Sequence, residues 1–569
     1  MPLEPSSTPF AATASPDIGT LDALNRNELR ALAQSLIERL AKDSKQIDQQ
    51  GSELQLRQAK IDALTVEIRL LRHLRFGAKT EAMDAVQAKL FEEANAEDLG
   101  AAEHQLAQLG IKTPPVAPKG RPVRQPLPAN LARVDIAHEP ANTTCGCGSP
   151  LSRISQDVSE RLDYAPGVFR VERHIRGVWA CKCCAHLRQE AMPAQIIDGG
   201  IPTARLLAQV LIAKYDDHLP LYRQGEIYER AGVQLSSSTL ADWVGACGAA
   251  LAPIAQALKA QLLQAQVLHA DESPITILAR KGHKTRGYIW AYATGVHEAV
   301  GAVVYQIKEG RSGKHAKDFL QFEPPMRRID QEVDDPPKIK RWSGHLVVDD
   351  YGGYKALFKS LLAPGIGQAS GDDANANAQP IIEVGCWAHV RRKFFELHVA
   401  AKSSLAEVAL DHIGALYGVE RAIQDEGLDV KLATARRQQE SKPRLLALHA
   451  WLLAQRECIT DGTGTAKAMD YALKRWPALV RYADDGRLPM DNNRIENQIR
   501  PWALGRKNWL FSGSLGAGGR AADIMSLIQT AKMNGIEPLA YLTDVLTRLP
   551  THPNSRIEEL LPTRWQPQA

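Results

Sequence analysis

Apolar positions change period several times along the chain, and each change marks a segment. Residues 1–20 carry Pro, Ser, Thr and Ala without apolar periodicity, so they lack the burial that offsets ordering entropy and are expected to be disordered. Over 21–110 the period is helical. Leu40, Ile47, Leu54, Ile61 and Ile68 recur every seven residues, with Leu64 and Leu71 on the companion seam. Asp43, Gln50 and Arg57 are polar on that seam and Gly51 interrupts it, so two readings stand: a short coiled coil, or a helical hairpin packed on its own chain. Residues 111–134 hold six prolines and the bases Lys112, Lys119, Arg121, Arg124 and Arg133 with no acid among them through Arg133, the composition of an extended linker. Its charge suits either a phosphate backbone or a solvated spacer.

Beyond the linker, 135–190 alternates in strand fashion (Val168, Val171, Ile175, Val178) between two cysteine groups. Residues 200–265 read as helices with a turn at Gly232 and a cap at Ser236–Ser238. That pattern fits a helix-turn-helix-like DNA reader or a plain packing layer. From 266 to 400 come short strands at Val267–Asp271, Tyr288–Tyr292, Ala302–Tyr305, His345–Val348 and Ile381–Val384, with a helix near His315–Leu320 before the last two. Three hairpin strands, a helix and further strands is the ribonuclease-H-like order. A helical insertion is expected over 401–487, the rest of the core over 488–530, and a C-terminal helical segment over 531–569. The fold class is therefore multidomain α+β: an N-terminal helical or coiled-coil segment, a zinc ribbon, a helical DNA-binding layer, and a ribonuclease-H-like α/β core with a helical insertion.

Composition narrows the class without choosing a function. With 44% hydrophobic and 24% charged residues in 569, wholesale disorder, collagen and disulfide scaffolds are excluded. The net charge of +4 is too small to demand a polyanionic partner, so any nucleic-acid argument rests on local clusters. Neither an apolar run of about 18 residues nor a secretory leader pattern occurs, so the expected location is the cytoplasm of a bacterium, with no membrane partner. Five of the eight cysteines fall between Cys145 and Cys184, which points to metal and not to oxidation. Cys145, Cys147, Cys181 and Cys184 are the candidate zinc ligands of two knuckles. The first pair is C-x-C where C-x-x-C is usual, and Cys183, His174 and His186 are rival ligands.

The candidate chemistry lies in acids placed where apolar strands stop. Asp271 and Asp349 each follow such a run, and two carboxylates on neighbouring strands would repel unless a divalent cation bridged them. Glu272 and Asp350 are decoys, because adjacent residues of a strand face opposite sides. A third acid, Glu496, is expected on the second turn of a helix capped by Asp491 or Asn492. The segment from Arg494 to Arg520 adds Arg500, Arg506 and Lys507, interleaved with Trp502, Trp509 and Phe511, a mixture suited to phosphates and unstacked bases. Arg391, Arg392 and Lys393 form a further basic run, and His389 and Arg392 suit a phosphate contact, the ordering of a metal ligand, or, for the histidine, a structural role.

HADESPITIL, LVVDDYGGYKALF, GCWAHVRRKFFE and DNNRIENQIRPWALGRKNWLFSGS resemble the signature blocks of the insertion sequence 66 family of DDE transposases, and LRHLRFGAKTE, CGCGSPL to ACKCC, and DIMSLIQTAKMNGIEPLAYL follow in the family's order. The resemblance implies a catalytic triad of Asp271, Asp349 and Glu496 holding two Mg2+ (or Mn2+) ions. It also implies a structural Zn2+, cleavage at transposon ends, and transfer of the freed 3′-hydroxyl into target DNA. DNA contacts are expected from Arg391, Arg392, Lys393, Arg494, Arg500, Arg506, Lys507 and Trp509. The partners expected are double-stranded DNA (terminal inverted repeats and target), a second or further copies of the chain, and small accessory proteins of the same element. Two other classes share these features: a metal-dependent nuclease that cuts without joining, and a zinc-dependent DNA-binding remnant, which would need a damaged triad.

Overall fold

The computed structural model of the protein describes residues 85–108, 131–140, 142–145, 149–165, 167–278, 284–322, 340–358 and 380–567, with single positions between 34 and 68 and at 127 and 129. The expected disorder over 1–20 and most of the linker lie outside these residues. The heptad seam divides. Leu40 and Leu54 are 68% and 64% exposed, whereas Ile61, Leu64 and Ile68 pack on Leu99, Ala102 and Leu106 of helix α1 (Ala85–Gln108). The later part of the seam is thus a hairpin face against the chain's own helix.

A small sheet follows, of β1 (Ala132–His138), β2 (Leu151–Ala165), β3 (Val168–Cys181) and β4 (Leu187–Gln189). β2 and β3 make a long antiparallel hairpin, β1 runs parallel to β3, and β4 adds to β3. Helices α2 (Ala204–Tyr215), α3 (Leu221–Arg230) and α4 (Ser237–Leu262) come next. Thr203 caps α2 by accepting from Leu206 N, and Ser236 caps α4 by accepting from Thr239 N. Leu240, Val244, Cys247, Leu251, Ile254 and Leu258 put α4 inside the main core, which favours the packing reading of this layer.

The large sheet contains β5 (Val267–Leu278), β6 (Lys284–Thr294), β7 (Val303–Glu309), β8 (Gly344–Val348) and β9 (Ile381–Gly385), with helix α5 (Gly313–Leu320) between β7 and β8. Its order is β9-β8-β5-β6-β7, antiparallel among β5, β6 and β7 and parallel across β5, β8 and β9. β8 stops before Asp349 as expected, but β5 does not stop at Asp271. It continues to Leu278 because Glu272–Leu278 keep pairing with β6, so Asp271 lies within a strand. α6 (Trp387–Ala401) is followed by the helical insertion, α7 (Ser404–Asp425), α8 (Val430–Arg436), α9 (Lys442–Glu457) and α10 (Gly464–Leu479). The chain then returns through α11 (Asn493–Trp509), α12 (Leu515–Met533) and α13 (Pro538–Arg548).

Alternation along the central strands divides the core. Leu268, Ala270, Leu346 and Val348 belong to the cluster with α2, α4, α12 and α13, whereas Val267, Val347 and Val384 belong to the cluster with α6, α7, α9 and α10. α1 lies on α4 at backbone distance. A side chain at Gly245 would run into the Glu97 carbonyl, and one at Gly100 into the backbone of Asp242. Glu97, buried by this crossing, pairs with Lys214 at 3.3 Å and accepts from the Tyr215 hydroxyl at 3.4 Å, while Asp98 pairs with Arg520. Gly245→Val is expected to lower stability by about 1–3 kcal/mol or more through overpacking. Gly519→Ala, with open space around it, is expected to be neutral or mildly stabilising. Urea unfolding checks both, and an unchanged Gly245→Val midpoint would contradict the helix contact.

Candidate functional site

Three chain segments bring carboxylates within electrostatic reach of one another beside the large sheet, although among the described residues Asp271, Asp349 and Glu496 do not form a group with ligand atoms all within 4.8 Å. The β5–β8 register ends with Val347 paired to His269, two residues before Asp349 and Asp271 respectively. Asp271 Oδ1 accepts from Glu272 N at 2.8 Å, and Asp349 Oδ1 from Tyr351 N at 2.9 Å. Glu496 is on the first turn of α11, one turn earlier than expected. Burial pushes the Asp271 carboxyl up to about 8, and the charges of Glu272, Asp349 and Glu496 add to that rise. Glu496 Oε2 lies 3.7 Å from Arg392 Nη2 and Oε1 3.8 Å from His389 Nδ1, yet Oε1 is buried with no hydrogen-bond partner. Hard oxygen ligands that crowd negative charge, with one orphaned oxygen, fit a divalent cation such as magnesium.

The neighbouring acids are engaged elsewhere. Glu272, on the opposite face of β5, accepts from Arg311 Nε at 2.8 Å and from the Tyr354 hydroxyl at 2.9 Å. Asp350 pairs with Arg475 at 2.8 Å and Lys355 at 3.1 Å, and these cations hold its carboxyl below the usual range against the opposing effect of burial. A buried clasp joins the segments. The Asn492 amide donates to Ala270 O at 3.0 Å, its Oδ1 meets His269 Nδ1 at 2.8 Å, and Asn492 N donates to Cys386 Sγ at 3.2 Å. The clasp ties β5, the start of α6 and the start of α11. Sequence reading missed it, although a histidine inside the apolar run Val267–Ala270 was its signal. Cys386, His389 and Glu496 offer ligand atoms within 4.8 Å of one another, so His389 and Arg392 both face Glu496.

The basic residues separate by direction. Arg391, Arg392 and Lys393 on α6 and Arg500 and Lys507 on α11 are exposed. Arg494 turns inward to Thr294 O at 2.6 Å, and Arg506 donates to Ser273 Oγ at 3.1 Å and Pro274 O at 2.8 Å. The expected base-stacking aromatics are mostly interior: Trp502 and Phe511 are buried, and partly buried Trp509 packs edge-on against Trp502 at 6.1 Å. Ile495, Ile499 and Trp502 share the inner face of α11, so helical period and not nucleic acid accounts for Trp502.

In the small sheet, pairing of Leu151 with Cys181 brings the two knuckles side by side. Cys145, Cys181 and Cys184 offer sulfurs within 4.8 Å of one another, with Cys145 and Cys184 at 3.2 Å. The backbone N–H groups of Cys184 and Cys183 pull the Cys181 thiol down, as a thiolate ligand requires. Cys147 lies outside the described residues. His174 is not in the cluster. It stacks on His138 with ring centroids 5.2 Å apart and a nitrogen contact of 2.9 Å.

These features describe a multidomain α+β protein with a cysteine-rich metal module and an acidic site on a mixed sheet. Residues 199–520 match the Transposase IS66 family, 526–563 the IS66 C-terminal element, 142–185 the zinc-finger binding domain of transposase IS66, and 63–136 the Transposase C of IS166 homeodomain. The chain belongs to the IS66 transposase family. Among its relatives are two proteins of Sinorhizobium fredii described as uncharacterized: y4qI, 33% identical over 90% of each chain, and y4hP, 34% identical over 78% of this chain and 77% of that one. The zinc-finger match and the three-cysteine cluster together indicate zinc, and the DNA-binding modules indicate DNA as a partner. No described helix is long and apolar enough to cross a membrane.

Asp271 binds its proton more tightly folded than unfolded, so its contribution to stability is complete below its ordinary value of 3.8 and is lost as pH rises to about 8. Cation-free protein is expected to lose on the order of 1–3 kcal/mol across that window once solvent screening is allowed for. Asp271→Asn should flatten the loss, and equal pH slopes in thermal melts of the two proteins would contradict the coupling. Metal analysis should find zinc bound to the purified protein, with Cys181→Ser lowering occupancy and melting temperature; full occupancy in that variant would remove Cys181 from the ligand set.

Proposed function

We propose that the chain is a DNA transposase of the DDE type, cutting DNA strands at transposon ends and joining the freed 3′-hydroxyl to target DNA. The observation that carries this reading is that the fold draws Asp271, Asp349 and Glu496 from three separate segments, with the β5 and α11 segments clasped by Asn492 and the charges of Asp349 and Glu496 raising the Asp271 carboxyl. The sheet order β9-β8-β5-β6-β7, with its three antiparallel strands followed by two parallel ones, supports the ribonuclease-H-like core expected for such an enzyme. Magnesium ions bound at these carboxylates would supply activation of the attacking oxygen and stabilisation of the leaving one.

The chain's own part is to hold the acids and the DNA. The Asn492 clasp fixes the start of α11, which carries Glu496, against the β5 segment that carries Asp271. His389 and Arg392 flank the Glu496 carboxylate and orient it. Arg311 and Arg475 pair with Glu272 and Asp350, which turns these carboxylates to cations of their own and leaves Asp271, Asp349 and Glu496 as the candidate ligands. Arg391, Arg392 and Lys393 with Arg500 and Lys507 provide exposed cations for phosphates beside it. The zinc module and adjoining helices serve end recognition, and the exposed seam at Leu40 and Leu54 serves pairing with a second copy. Accessory proteins of the element belong to the same reading.

Purified protein with magnesium and labelled duplexes carrying the element's ends should give cleaved and joined products. Asp271→Asn and Glu496→Gln are expected to abolish both while leaving end binding within about 2-fold of wild type, because phosphate contacts elsewhere carry affinity. Normal joining by either variant would refute the triad. Cleavage without joining by wild type would favour the nuclease, and binding without reaction the remnant.

A further inference from the structure

A second polar site lies away from the carboxylates, where the zinc module, the helical layer and the C-terminal element meet. One face of the β2–β3 hairpin carries Arg161, Asp163, Arg170, Glu172 and His174, in which Arg161 pairs in register with Glu172 and Asp163 with Arg170. This face lines a cavity of about 300 Å³, closed by Arg205 at the start of α2 and by Thr543 and Thr547 of α13. β2 is held at this place by Leu162, which donates to Ile201 O at 2.7 Å and accepts from Thr203 N at 3.1 Å.

The charges in the cavity do not close among themselves. Asp163 is fully engaged by Arg170 at 2.6 Å and by the Thr203 hydroxyl at 2.7 Å. Glu172 lies 3.7 Å from His174 Nε2, and burial together with Asp163 pushes its carboxyl up against the opposing charges of Arg170 and Arg161. Arg161 is only 9% exposed, and among the described residues its guanidinium makes no hydrogen bond or ion pair. Arg205, half-buried, makes none either. His174, 7% exposed, has a buried Nε2 without a hydrogen-bond partner. Burial disfavours the Arg161 charge and the nearby charges of Glu172 and Asp198 offset this only in part, so an anion bound directly to the guanidinium would relieve the rest.

We propose that this cavity is an oxyanion site that takes a phosphate group between Arg161 and Arg205, and that in the working protein the group is a backbone phosphate of bound DNA. Planar guanidinium donors match phosphate oxygens, and the cavity is wider than one phosphate, leaving room for the sugar attached to it. A strand seated here would contact the zinc module and the transposase domain at once, so binding would fix their relative position. The DNA half of the proposal rests on the transposase reading; the oxyanion half does not.

The test uses the full chain in two arms. In the first, thermal midpoints are compared in sodium phosphate and sodium chloride of equal ionic strength for wild type, Arg161→Gln and Arg205→Gln. Phosphate is expected to raise the wild-type midpoint and to lose that effect in both variants. Should Arg161→Gln fail to fold, the less buried Arg205→Gln still decides. In the second arm, affinity for element-end and unrelated duplexes is followed against salt. Each variant is expected to lower the slope of log K against log salt by about 0.9, on both sequences, because a phosphate contact carries no sequence information. A phosphate shift of the same size in wild type and variants is a general salt effect and overturns the site. A shift lost in the variants with an unchanged DNA slope keeps the oxyanion site and overturns DNA as its source. A specific phosphate shift in a protein that binds no duplex refutes the DNA reading and leaves the site standing.

Discussion

The arrangement of this protein depends on a repulsion that the fold sustains. Asp271, Asp349 and Glu496 come from the middle of one strand, the end of the next, and a helix that follows a long helical insertion, and burial with mutual charge drives the Asp271 carboxyl up to about 8. Left to themselves such groups would separate or remain protonated. They are kept together by apolar burial on both faces of β5 and β8 and by the Asn492 clasp, whose partners sit on β5 and at the start of α6. The charged neighbours are engaged by arginines, Glu272 by Arg311 and Asp350 by Arg475, which Asp350 shares with Glu383.

The same logic recurs at the joints between modules. α1 closes on α4 through glycines at the crossing, and its acids Glu97 and Asp98 meet Lys214 and Arg520 on two different helices of the core. The β2–β3 hairpin instead meets the core through a polar cavity in which Arg170 pairs with Asp163 while Arg161 and Arg205 make no hydrogen bond or ion pair among the described residues. One joint is internally neutral and tight, while the other awaits an anion. That difference suits the proposed function, in which the zinc module settles on DNA while the N-terminal helix stays attached to the core.

Much of this was legible in the chain. Alternation gave the succession of strands and helix along the large sheet, the clustered cysteines gave the metal module, and the resemblance of four blocks gave the family. What failed did so for physical reasons. β5 outran its apolar pattern because pairing with β6 continues past Asp271 through residues of mixed polarity. Trp502 read as a nucleic-acid platform because aromatic rings between bases look alike in sequence whether they face water or the core; only the helical period shared with Ile495 and Ile499 decides. Arg494 and Arg506 counted as DNA contacts on charge alone, whereas their backbone acceptors on β5 and β6 lie some 200 residues or more away in sequence. The Asn492 clasp and the Arg161 cavity are likewise long-range, and no local pattern encodes them.

The account stands most directly on whether the three acids form one metal site. Crystals of the protein soaked in manganese and measured at the manganese absorption edge would decide it. Anomalous peaks within about 2.1 Å of carboxylate oxygens of Asp271, Asp349 and Glu496 are predicted. Well-ordered acids with no peak between them, or a peak confined to Cys386, His389 and Glu496, would contradict the account.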